Sequence, residues 1–408
     1  MGVILSTLFL AFLEGFIISR SVYIGLLWYI ILLPFNYPVD IFGGVTIWLS
    51  EWLVISAFFG VLLTQPCEEC SRIFHDRIFP YLGGWFILEI ISVLYAPKLS
   101  SAVKQCIRWA NLPLWYWIIT TGRRDMKTMR RFFISFACYG IFLSLVGLLN
   151  LYIIKTGPLP KMYRSLFADK NIFASYLSFS AVFLFIYLET TPTHSVWNWL
   201  YFIFISFNLA ESKARAACIA WGGFIVFILL RKGICMKTFL LGLFFLITVL
   251  IIVPLPNIED FNFSDGSLAV RLAAWKSSLI YWARAPMFGN GAASFEHFSR
   301  IYNFGEIGNH YVFNDPFNMF LQVAIETGLF GLTFFLVSII RGFIPFDFLD
   351  KDISIYRLSG FIIAVMFIIN ALFSIVDYAQ FIFLSMALSL LETSGGRGAV
   401  CQESLYMI

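Results

Sequence analysis

Arg215 and Arg271 are the residues best suited to chemistry in this chain. Arg215 lies in Glu211-Ser212-Lys213-Ala214-Arg215-Ala216-Ala217, at the mouth of an apolar stretch. Arg271 lies in Val270-Arg271-Leu272-Ala273-Ala274-Trp275, inside the longest polar interruption of the chain. A guanidinium is a planar fork that makes two parallel charge-assisted bonds to a phosphate. Charge at membrane depth is costly and usually functional. The two arginines therefore point to an anion site at a bilayer surface and to a phosphate-bearing, membrane-embedded substrate. Snorkelling of a terminal arginine to the interface is the alternative reading of Arg215.

Further basic groups sit near them. Lys213 is two residues from Arg215. Lys104 and Arg108 are spaced i, i+4, which puts both on one helix face. Lys170 ends a loop that also carries Lys155, Lys161 and Arg164. His310, in Asn309-His310-Tyr311, just precedes an apolar span, where an imidazole serves as a general base or caps a loop. Glu326 lies inside a span and is expected to hydrogen-bond within the bundle. Cys67 and Cys70 form one C-x-x-C with His75 nearby, but no second pair completes four zinc ligands, so no metal is expected. Cys106, Cys138 and Cys218 read as small core residues. Gly289-Asn290-Gly291 is a turn and not a nucleotide loop, since no G-K-[ST] follows.

The elements that position these groups follow from composition. The chain has 408 residues, 60% hydrophobic and only 13% charged, with mean hydropathy +0.83. Soluble domains carry roughly 25% charge. An all-α polytopic membrane protein is implied, and a closed barrel would show short alternating segments instead. The net charge of +4 gives no reason to invoke nucleic acid. Membrane lipids are implied partners.

Spans are expected at 45–64, 79–96, 101–120, 132–154, 171–189, 196–210, 214–231, 237–254, 316–340, 356–373 and 376–393. Residues 3–34 form one bent span or two short ones meeting at Ser19-Arg20-Ser21. The total is 12 or 13, with the first span retained and not cleaved as a signal peptide. The chain divides into transmembrane helices at 1–254, a large external loop at 255–315, and C-terminal helices with a short tail at 316–408. Residues 122–131 hold Arg123, Arg124, Lys127, Arg130 and Arg131 and mark the cytoplasmic side, as do 231–237 and 341–357. Alternation then places 155–170, 210–214 and 255–315 outside. The basic loop 155–170 runs against that rule, as a loop retained to bind an anion would, unless the flanking cytoplasmic loops simply dominate. Within 255–315, residues 271–282 are expected to form an amphipathic surface helix ended by Ala285-Pro286. A second surface helix is expected near 295–302.

Several landmarks occur in a suggestive order. They are Phe167-Ala168-Asp169-Lys170-Asn171-Ile172-Phe173-Ala174, Ser212-Lys213-Ala214-Arg215-Ala216-Ala217, Arg271-Leu272-Ala273-Ala274-Trp275, Pro286-Met287-Phe288-Gly289-Asn290-Gly291 with Phe295, and Asn318 to Glu326-Thr327-Gly328-Leu329-Phe330-Gly331. Over roughly residues 165–335 the chain resembles the O-antigen ligase and polymerase superfamily. The resemblance implies a bacterial inner-membrane enzyme with a periplasmic site. Such an enzyme moves glycan from an undecaprenyl-diphosphate-linked donor to an acceptor glycan or to lipid A-core, without a cofactor. It also implies that Arg215 and Arg271 hold the diphosphate, with a chain-length regulator as a further partner. Lys213, Lys104, Arg108, Lys170 and Asn318 are the expected substrate-binding residues, and His310 joins the two arginines as catalytic. Ligases of this family carry His-Asn, nine residues, then Gly-x-x-Gly. Asn318, the nine-residue gap, Gly328 and Gly331 are present here, but Phe317 stands at the histidine position. This departure favours polymerase over ligase. A lipid-linked glycan transporter or flippase is the alternative of another class, although no paired broken helices in related halves are evident.

Overall fold

The computed structural model describes residues 2–225 and 268–392, except for 36, 41–45, 67, 69–70, 72, 122–125, 150–169, 190–195, 213, 215–216, 219, 302–314, 344–354 and 374–380. The described chain is helical apart from one hairpin. Its helices are α1 (Gly2–Arg20), α2 (Val22–Leu32), α3 (Leu49–Thr64), α4 (Phe79–Ser92), α5 (Leu99–Thr121), α6 (Met126–Leu149), α7 (Lys170–Glu189) and α8 (Val196–Glu211). After a break follow α9 (Leu268–Trp282), α10 (Ser294–Ile301), α11 (Met319–Phe343), α12 (Ile355–Phe373) and α13 (Phe381–Glu392). The expected spans over these residues are helices, with edges moved by a few positions. Residues 3–34 are two helices that meet at Ser21. Most of the expected span at 214–231, and all of that at 237–254, lie outside the described residues.

One segment differs from expectation. The span read from residue 45 begins instead at Leu49, because Pro38–Asp40 (β1) and Thr46–Trp48 (β2) pair antiparallel, with Val39 opposite Ile47. Thr46, Ile47 and Trp48 are β-branched or aromatic residues that suit an extended chain. The start of α3 is then capped by Glu51, whose carboxylate accepts the Trp48 backbone N–H at 2.8 Å.

Among the described residues, Arg131–Leu149 and Met319–Phe343 are long and apolar enough to cross a membrane by length and composition. Shorter apolar helices include Leu49–Thr64, Phe79–Tyr95 and Phe381–Leu390. They pack as antiparallel neighbours: α1 on α3, α4 on α11, α5 on α13, and α6 on α7. The first contact is close because Gly15 and Gly60 face each other; a methyl group on Gly60 would run into the Gly15 carbonyl. Small residues at such crossings let helix backbones approach. The core is aromatic, with Trp85, Trp109, Trp115, Tyr29 and Tyr116 fully buried. Trp85 and Trp109 meet edge to face at 5.1 Å, and Trp109 stacks on Phe381 at 5.4 Å.

Candidate functional site

Gly328 breaks α11. Its backbone, at φ 67° and ψ −165°, separates two helical halves. A break frees carbonyls on one side and N–H groups on the other, and these must be satisfied where water is scarce. The segment around Pro286–Gly291 satisfies them. The N–H groups of Asn290 and Gly291 donate to the carbonyls of Ile325 and Glu326 at 2.7 and 3.2 Å. In return, the N–H groups of Leu329 and Phe330 donate to the carbonyls of Pro286 and Met287 at 2.8 and 3.3 Å. The approach is so close that Gly289 and Gly328 leave no room for a Cβ on either side, and Gly291 lies against Ala96. Gly289 and Gly291 both take positive φ, so the expected turn exists and it docks on the helix.

Side chains reinforce the dock. Glu326 is buried, and its carboxylate accepts the Trp109 indole N–H at 2.7 Å, the Ala293 backbone N–H at 3.1 Å and the Gln322 amide at 3.3 Å. It thus hydrogen-bonds within the bundle, as the sequence suggests, but also reaches the external segment. The Tyr95 hydroxyl donates to the Phe288 carbonyl at 2.6 Å. Beside the dock is a cavity of about 320 Å³ lined by Leu88, Ile91, Tyr95, Phe288, Gly289 and Thr327.

Both expected surface helices are present. Ala274, Ser278 and Tyr281 of α9 are buried, whereas Leu272, Leu279 and Ile280 on the other side are exposed. This is the two-faced pattern of a helix lying at an interface. The buried face packs with Phe295 and Phe298 of α10, with Ile325 of α11, and with Phe317. Tyr281 stacks on Phe298 at 4.0 Å, and the Arg284 guanidinium lies 5.1 Å from the Phe298 ring centre. Arg271 is half-buried, one helical turn before Ala274 and so on the face that meets this cluster.

Asp315, Phe317 and Asn318 form the entry to α11. Asn318 caps the helix: its side-chain oxygen accepts the Leu321 N–H at 3.1 Å, and its amide donates to the Leu372 carbonyl at 3.4 Å. Asp315 accepts the Phe317 N–H at 2.9 Å. Burial pushes the Asp315 carboxyl up to about 6, partly opposed by that N–H bond. Phe317 has a φ of 51°. A left-handed backbone is unusual for a bulky residue and tends to mark functional segments.

The other expected site residues divide. Arg215, Lys213 and His310 lie outside the described residues, as does the side chain of Lys170. Lys104 and Arg108 share one face of α5 as expected. Arg108, however, is ion-paired with Glu51 at 3.3 Å, with side-chain exposures of 21% and 2%. Its charge therefore serves at least to balance a buried carboxylate. Sequence reasoning missed Glu89, Trp109 and Tyr95. Glu89 had a signal, being the only charged residue in the apolar span 79–96.

Residues 200–336 match a protein-family model, Wzy_C, described as O-antigen ligase. The match takes in α8, both surface helices, the docked turn and the break in α11. It supports, in general terms, a membrane glycan transferase of the O-antigen ligase type, and the chain resembles the O-antigen ligase and polymerase superfamily. No curated protein matches the chain.

Proposed function

We propose that this protein transfers glycan from a polyprenyl-diphosphate-linked donor at the periplasmic face of the bacterial inner membrane, as an O-antigen polymerase. The observation that carries the reading is the dock of the Pro286–Gly291 turn onto the break in α11. It joins α9, which bears Arg271, to the helix that bears Phe317 and the Gly-x-x-Gly pair, at one end of the bundle. Arg271 and Arg215 hold the diphosphate there. The leaving diphosphate gains negative charge as the glycosidic bond breaks, and fixed guanidinium groups favour that change. Lys213, Lys104 and Lys170 add positive charge to the same side. The exposed apolar face of α9 and the neighbouring cavity suit a lipid-linked donor. Sidedness is supported by packing. Arg341 meets Tyr81 at one end of the α4–α11 pair, with the guanidinium donating to the hydroxyl at 3.2 Å, while the dock closes the other end. Twelve or thirteen spans with 255–315 in the periplasm complete this reading.

The acceptor hydroxyl must lose a proton. Phe317 cannot take it. His310 and Asp315 stand on the same stretch of chain, and a carboxyl titrating at about 6 is matched to general-base work near neutral pH. The decisive experiment is the surface glycan of a deletion strain complemented with variants. Loss of long chains with single units still on lipid A-core identifies a polymerase; loss of all units identifies a ligase. Unchanged transfer chemistry with donor confined to the cytoplasmic leaflet identifies a flippase and overturns the proposal. Arg271→Ala is expected to lower transfer by roughly 10²–10³-fold, in the range of removing one transition-state donor. Arg271→Lys restores it only in part, since a point charge lacks the fork.

A further inference from the structure

Two carboxylic acids meet inside the bundle. Glu89 of α4 is wholly buried, and neither of its oxygens receives a hydrogen bond from a protein N–H or O–H. Its polar neighbour is the carboxyl of Glu326, to which it is hydrogen-bonded. Glu326 already accepts from Trp109, Ala293 and Gln322. The other titratable groups that feel the pair are Tyr95 and Cys106, and neither is a cation.

The donors decide where the proton lies. Three N–H groups converge on Glu326, which suits an ionised carboxylate, an acceptor at every lone pair. A second carboxylate at Glu89 would face that charge with no donor of its own. Two uncompensated charges in a dry interior are strongly disfavoured. A carboxylic acid at Glu89 removes the conflict, because its O–H becomes a fourth donor to Glu326.

We propose that Glu89 is a neutral acid donating its proton to the Glu326 carboxylate, and that this pair is the anchor holding the external segment 285–301 to the break in α11. Glu326 is thereby a positioning residue. It fixes Ala293 directly, and through the docked turn it fixes the elements that carry Arg271 and Phe317. The inference does not depend on glycan transfer, because its readouts are spectroscopic and structural.

The test uses the full-length protein in lipid nanodiscs. Infrared spectra of wild type and Glu89→Gln should differ by one protonated-carboxyl C=O band, present only in wild type. Amide exchange over 290–293 should be as slow in Glu89→Gln as in wild type, because a glutamine amide donates in the place of the acid O–H. In Glu89→Ala and Glu326→Gln the same amides should exchange about tenfold faster or more, since a hydrogen bond to a charged group is lost or inverted. Two outcomes overturn the proposal: no protonated-carboxyl band assigned to Glu89, or Glu89→Gln exchanging as fast as Glu89→Ala. Should Glu326→Gln fail to fold, the comparison of wild type with the two Glu89 variants decides alone.

Discussion

Gly328→Ala tests the architecture of the dock most directly. Gly328 sits at φ 67° and ψ −165°, a backbone region that is essentially glycine's alone, and another residue there is strained by about 1–3 kcal/mol. A methyl group would also collide with the Met287 carbonyl and the Gly289 nitrogen. Both are backbone atoms, so no side chain can swing away, and the turn must leave the helix. Four backbone hydrogen bonds cross that contact, and each contributes about 0.5–1.5 kcal/mol net, or about 2–6 kcal/mol together. The chain can escape by undocking the turn without unfolding the bundle, so the damage should be local. Amide exchange over 286–291 should accelerate by about a hundredfold or more, the equivalent of about 3 kcal/mol, and glycan transfer should fall with it. The control is Gly223→Ala, where an added Cβ meets nothing within 4 Å; alanine there is expected to be neutral or slightly stabilising. Exchange rates over 286–291 that match between the two variants would refute the account of the break.

Arg108→Ala should destabilise the bundle by about 3–5 kcal/mol, because it strands a buried carboxylate. Glu51→Gln combined with Arg108→Gln should recover most of that loss in thermal unfolding. Full transfer by the double variant would remove Arg108 from substrate binding. Trp109→Phe should cost about 1.5–3 kcal/mol by removing a donor to Glu326, read as a lower melting temperature with the aromatic stacking on Phe381 preserved. Asp315 binds its proton more tightly folded, at about 6, than at its ordinary 3.8. Its contribution to stability is therefore greatest below about pH 3.8 and declines as pH rises through about 6. Asp315→Asn should flatten that part of the stability profile. If Asp315 is the base, transfer in the wild type rises with pH through the same window, whereas His310→Gln leaves it intact. Reporter fusions at Asp265 and Asp125 should give opposite sidedness, and matching behaviour would discard the topology.

What was legible in the sequence was what depends on neighbours along the chain. Apolar runs bounded by basic loops located the helices over the described residues. The alternation in 271–282 located α9, and Gly289-Asn290-Gly291 located a turn. What remained hidden depends on contacts between distant positions. Nothing near Gly289 states that its turn will close a break 39 residues on, and nothing near Trp109 names Glu326 as its acceptor. Glu326 could be read as bonded, since a carboxylate in an apolar helix must find donors, but its donors come from α5, from its own helix and from the external segment. Glu89 was overlooked because a neutral acid obeys no charge-pairing rule, and only the geometry shows which of two buried carboxyls carries the proton. The hairpin at 38–48 was hidden for the opposite reason: Thr46, Ile47 and Trp48 satisfy an apolar-run criterion as readily as a strand.

Phe317 joins these observations to the chemistry. The side chain at this position has no proton to exchange, yet its backbone is held at φ 51° by the Asp315 hydrogen bond and by packing against the α9–α10 cluster. A left-handed conformation costs an ordinary residue about 1–2 kcal/mol, and it persists because the surrounding contacts over-determine it. The entry to α11 therefore keeps a built, strained shape while the side chain at its centre is purely apolar. Phenylalanine here packs the surface helices onto α11, and the adjacent Asp315 supplies both the hydrogen bond that fixes the turn and a carboxyl that titrates near neutral pH. Proton transfer at this end of the helix then falls to a neighbour of residue 317, which separates this chain from members of the superfamily that carry histidine at the motif itself.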